Sequence, residues 1–67
     1  MDVLLSGERL EVRIEGQFLN ASVHDMSGKV VAKSDRSTFM VGNLRPGTYF
    51  VQARTTEGSA TRVFTKI

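Results

Sequence analysis

The chain of 67 residues has no cysteine and no tryptophan, one proline, one histidine and one tyrosine. Without cysteine it has neither a disulfide framework nor a thiolate metal site. Apolar burial and strand pairing must therefore carry the fold. Apolar runs stop at three or four residues, far short of the roughly 20 that a spanning helix needs. Met1–Leu10 lacks a basic start followed by a long apolar region, so it does not read as a signal peptide. Export would need a leader supplied elsewhere, and the chain is then expected to be a piece of a longer one. One-signed charge is also missing. Nine basic residues face seven acidic ones, and the signs alternate, as in Glu11-Arg13-Glu15 and Lys33-Ser34-Asp35-Arg36. A nucleic-acid partner would need a basic stripe or patch, so none is expected.

What is present is period two. Leu10, Val12 and Ile14 alternate with Glu11, Arg13 and Glu15, and Tyr49, Val51 and Ala53 alternate with Phe50, Gln52 and Arg54. This pattern sets one strand face on a core and the other in water. Six glycines punctuate the chain at the spacing of a sandwich or barrel. Strands are expected at Val3–Leu5, Leu10–Glu15, Ser22–Asp25, Val30–Ser34, Ser37–Val41, Thr48–Thr55 and Ala60–Lys66. Residues 1–9 read as either linker or a short first strand. The alternation predicts Val12, Ile14, Val23, Val30, Leu44, Tyr49, Val51 and Val63 inside. Phe18-Leu19 reads as a loop capping the core, and Asn20-Ala21-Ser22, formally a glycosylation acceptor, reads as a loop.

Three turns have a mechanism. Gly28 can take a positive φ in Met26-Ser27-Gly28-Lys29. Pro46 sets φ at the second position of a turn with Gly47 at the third. Thr56-Glu57-Gly58-Ser59 closes the last hairpin. Asp25 is expected to accept backbone N–H bonds from Ser27 or Gly28. No catalytic residue and no cofactor are expected. His24 and Asp25 are strand neighbours and diverge. Gly28-Lys29 lacks the rest of a phosphate loop, and the acidic residues form no calcium loop, so no metal is expected.

The order of the motifs says more than any one of them. Ser22–Val31 reads as strand, tight turn, strand, with Asp25, Gly28 and Lys29 in a hydrophobic-x-Asp-x-x-Gly-Lys-hydrophobic pattern. Leu44, Gly47 and Tyr49 follow as Leu-x-x-Gly-x-Tyr. Arg62, Val63, Phe64, Thr65, Lys66 and Ile67 close the sequence as a basic-apolar strand. This resembles the type IX secretion C-terminal sorting domain of Bacteroidetes proteins over about residues 10–67. The Lys33–Thr38 connection is longer and more polar than the pattern.

The resemblance implies a single sorting domain over residues 1–67, folded as a seven-stranded, immunoglobulin-like antiparallel β-sandwich. It implies an address label for a cargo protein rather than an enzyme. Its implied partners are the type IX translocon and shuttle components, and a sortase-like cysteine peptidase that removes it during surface attachment. The implied route is the periplasm, then the outer-membrane cell surface or the medium. Arg62–Ile67 is the expected recognition element, because an exposed edge strand is a template for pairing. The same edge allows a strand-paired or swapped homodimer. The competing reading is a generic immunoglobulin-like accessory or adhesive module of a multidomain surface protein.

Overall fold

The computed structural model of the chain describes residues 1–67. It contains β1 (Asp2–Ser6), β2 (Arg9–Arg13), β3 (Phe18–His24), β4 (Val30–Ser34), β5 (Thr38–Met40), β6 (Gly47–Thr55) and β7 (Gly58–Lys66), and no helix. One sheet has the order β1-β2-β5 and the other β4-β3-β6-β7. Every pairing is antiparallel. The chain changes sheet between β2 and β3, between β4 and β5, and between β5 and β6.

Alternation sets the faces as expected where it is strict. Leu10 and Val12 of β2 point inward, and so do Tyr49, Val51 and Ala53 of β6. Ala21 and Val23 of β3 and Phe64 of β7 join them. Val41 and Leu44, from the connection between β5 and β6, complete the core. Only ten apolar residues are buried, so each carries a large share of the stability of so small a domain.

Two residues expected inside lie outside. Val63 sits opposite Phe50, between the inward Tyr49 and Val51, so it is on the outer face and 56% exposed. Phe64, opposite Tyr49, takes the inward place. Arg62-Val63-Phe64 does not alternate in polarity, and the larger ring wins the core. Val30 is 41% exposed because a bulge between Val23 and His24 shifts the register and brings it opposite His24. Ile14 lies past the end of β2 and packs half-buried against the core.

Two stretches expected as loops are strand. Phe18-Leu19 opens β3, with a bulge before Asn20, and Asn20-Ala21-Ser22 continues it. Phe18 packs on the core, while Leu19 is exposed. β1 is longer than expected and pairs along its whole length with β2. The proline turn also differs. The hydrogen-bonded turn lies upstream, where Leu44 N–H donates to the Val41 carbonyl at 3.1 Å. Gly47 has φ +154° and already pairs with Lys66, so Pro46-Gly47 bends the chain into β6 instead of reversing it.

Truncating Leu44 or Val51 to alanine is expected to cost roughly 2–4 kcal/mol, a large part of the ~5 kcal/mol such a domain holds. Val63→Ala, on the outer face, is expected to stay within about 0.5 kcal/mol of the parent. Urea unfolding of the three variants checks this ordering. Equal losses at Val51 and Val63 would contradict the assigned faces.

Candidate functional site

The register gathers the three motifs at one end of the four-stranded sheet. There β3 ends at His24, β4 begins at Val30, β6 begins at Gly47 and β7 ends at Lys66. Three local devices hold that end together.

The first is the β3–β4 turn. Gly28 N–H donates to the Asp25 carbonyl at 3.0 Å, and Asp25 N–H donates to the Lys29 carbonyl at 2.9 Å. Met26 and Ser27 keep negative φ, and Gly28 alone is positive at +90°. A turn followed by one left-handed residue is a common hairpin closure that favours glycine. Asp25 Oδ1 accepts from Ser27 N–H at 2.9 Å, from Lys29 N–H at 3.0 Å and from Ser27 Oγ at 2.6 Å. The expected turn role of Asp25 therefore holds, with Lys29 rather than Gly28 as the second backbone donor. The Ser27 hydroxyl bond does most to hold the Asp25 carboxyl below its ordinary range; desolvation opposes it, and the Lys29 and Ser27 amides and the Lys29 charge add to the lowering.

The second device is the corner into β6. Tyr49 Oη donates to the Arg45 carbonyl four residues upstream, and its ring is buried. This is the bond pattern of a tyrosine corner. Leu44, just before the corner, is buried in the core.

The third is β7 itself. Phe64 stacks on Tyr49 with ring centroids 5.7 Å apart. Lys66 Nζ donates to the Leu44 carbonyl at 2.7 Å and to the Gly42 carbonyl at 3.4 Å. Arg62 Nε donates to the Met1 carbonyl at 3.1 Å. Both cations thus have bonds inside the chain, which sequence reasoning missed because their partners are carbonyls and carry no residue signature. Val63 and Thr65 point outward, and Ile67 lies beyond the strand, fully exposed. β7 pairs only with β6 and is an edge of its sheet.

His24 is not joined to Asp25. Its Nε2 lies 2.9 Å from Ser22 Oγ and its Nδ1 lies 3.3 Å from the Gly28 carbonyl, while the Asp25 carboxylate faces its own turn. A shallow concavity on the outer face is lined by polar side chains, among them Asn20, Ser22, Lys33, Asp35, Gln52 and Arg54. It lacks the apolar walls of a small-molecule pocket.

The family model of the secretion system C-terminal sorting domain matches residues 6–66. The chain belongs to this family. No curated protein and no solved structure matches it. The sorting domain is thus a type IX secretion signal, whose destination is the cell surface or the extracellular space and whose partner is the type IX machinery. All of β2 through β7, and only the last residue of β1, lie within the matched span.

Tyr49→Phe removes the corner bond and strands the Arg45 carbonyl. It is expected to lower stability by about 1 kcal/mol with little change in fold, read by urea unfolding. The depressed Asp25 pKa also sets a pH dependence. A carboxyl that binds its proton less readily when folded stabilises the fold above its ordinary pKa, about 4, and that contribution is lost as pH falls through the folded value. Asp25→Ala is expected to melt lower than the parent at neutral pH and to lose less on acidification. Parallel melting-temperature curves for the two proteins would contradict the turn's role.

Proposed function

We propose that the sorting domain presents β7, with Arg62–Ile67 at its end, to the outer-membrane translocon and its shuttle components. In this reading the cargo crosses the periplasm first, and a sortase-like cysteine peptidase removes the domain as the cargo is attached at the surface. The whole of residues 1–67 acts as one unit, in which the β3–β4 turn and the tyrosine corner keep β7 in place. We also read the sandwich as immunoglobulin-like. Two features support that reading: a tyrosine corner at the start of β6, and a buried Val51 two residues later, where immunoglobulin domains place a core residue.

The observation that carries the proposal is the position of β7. It is a nine-residue strand paired on one side only, inside the span the sorting-domain family matches. Strands with an open side are what partner proteins pair with.

The test is export of a fluorescent protein fused ahead of residues 1–67, behind a signal peptide, in a host with a type IX system. Reporter at the surface or in the medium is expected for the parent, and retention in the periplasm when Val63–Ile67 is deleted. Retention of the folded, intact parent fusion would overturn the proposal in favour of a generic accessory or adhesive module. Export that survives the deletion would remove the role assigned to the end of β7.

A further inference from the structure

The way β7 is paired specifies how a partner reaches it. The connection Thr56-Glu57 has two residues, so Thr55 and Gly58 form the hydrogen-bonded closing pair of the hairpin. Bonded and non-bonded pairs alternate along an antiparallel ladder. Ala60, Arg62, Phe64 and Lys66 therefore turn their main-chain groups toward β6. Ser59, Thr61, Val63 and Thr65 turn theirs off the sheet. None of these four takes part in a backbone hydrogen bond outside the ladders. One side chain reaches them, where Arg62 donates to the Thr61 carbonyl at 3.2 Å, and a carbonyl keeps a second lone pair.

The other three edges are poorer templates. β1 and β4 have five residues each and β5 three, and the pairing of β4 carries a bulge. The register between β6 and β7 is unbroken over all nine pairs, and β7 contains no proline.

The outer face adds a side-chain feature. Val30, His24, Phe50 and Val63 lie opposite one another across β4, β3, β6 and β7. This row is mostly apolar, with Val30 41% and Val63 56% exposed, and it stops at the open edge. Charge gives the last clue. Gly58–Ile67 holds two cations, Arg62 and Lys66, and no acidic side chain.

We infer that the translocation machinery reads this domain by strand addition: an extended partner segment with alternating apolar and acidic side chains pairs main chain to main chain with Ser59–Thr65 of β7. This rests on the function proposed above. An apolar residue of the added strand continues the row past Val63, and its acidic neighbours lie on the other face beside Arg62. Main-chain bonds supply the affinity in such pairing and alternate side chains the specificity. A second copy of the chain fits less well. β7 carries no acidic side chain, so a copy of it brings nothing to pair with Arg62 and Lys66.

The inference separates main chain from side chain, so it can be tested by proline. A proline whose missing N–H faces off the sheet is tolerated on an edge. Thr65→Pro and Thr61→Pro are expected to leave the urea midpoint near that of the parent and to lower export of the reporter fusion about tenfold or more, as loss of one or more hydrogen bonds would. Thr65→Val, which keeps the N–H, is expected to export like the parent. Should the proline variants unfold, the chain can be assembled by ligation at Ala60, since it has no cysteine to interfere with desulfurisation. Thr65 is then N-methylated and the product titrated with an alternating Glu-Val peptide. Shifts of the Ser59–Thr65 amides in the parent, and none after methylation, are the expected result. Full export of a folded Thr65→Pro variant would overturn strand addition. So would a parent that exports normally but whose β7 amides respond only to its own concentration, which would give the edge to a second copy. Failure of the parent to export would instead remove the sorting reading itself.

Discussion

Tyr49 is the residue on which most of this structure depends. Its hydroxyl ties the chain to Arg45 as it enters β6, its ring fills the core, and one face of that ring supports Phe64 of β7. The side chain thus fixes where the central strand begins and where the last strand lies upon it. β6 pairs on one side with β3 and on the other with β7, so a shift at Tyr49 would propagate through three strands. A one-residue slip in such a sheet turns every side chain to the wrong face. The Leu-x-x-Gly-x-Tyr spacing is the local expression of this requirement. Leucine fills the core just before the corner, glycine opens the strand, and tyrosine reaches back across the bend.

A domain this small has little beyond its ten-residue core with which to oppose chain entropy. It adds polar ties to backbone groups at the ends of its strands. The Asp25 carboxylate collects two amides and a hydroxyl, Lys66 closes on two carbonyls, and Arg62 reaches the first residue of the chain. Each satisfies groups that the ladders leave open. They also explain why Asp25, Gly28 and Lys29 act as a unit. The aspartate accepts the amides, the glycine supplies the positive φ, and the lysine amide donates to the carboxylate.

The existence of all seven strands was legible from period two and glycine spacing, and so were the Asp25 turn and the order of the motifs. What was not legible depended on register. Val30 turned outward because of a bulge at Val31 in β4, and a bulge leaves no mark in polarity. Val63 turned outward because Phe64 competes for the same side, and Arg62-Val63-Phe64 reads equally well in either phase. Phe18–Ser22 reads as loop because Asn20 and Ser22 interrupt its apolar residues, yet both simply face water in a strand whose inward residue is the small Ala21. The two errors of face share a consequence. The valines removed from the core stand at the two ends of the row across the outer face.

An edge that must accept a partner faces a conflict, because the same open amides invite aggregation. β7 meets it with charge rather than with brevity or proline. Its two cations lie on the face that turns toward the other sheet, each held there by carbonyls of the same chain. A random apolar strand arriving at this edge would strip water from two positive groups with nothing to offer them. A copy of β7 would bring no negative charge to them. Only a strand that brings negative charge at the right alternation gains the main-chain bonds without that penalty, which is how one surface can stay single in dilute company and still be read by a dedicated partner. The price in stability is small, since the carbonyls of Met1, Gly42 and Leu44 need donors in any case. Selectivity and closure of the fold are thus served by the same two side chains.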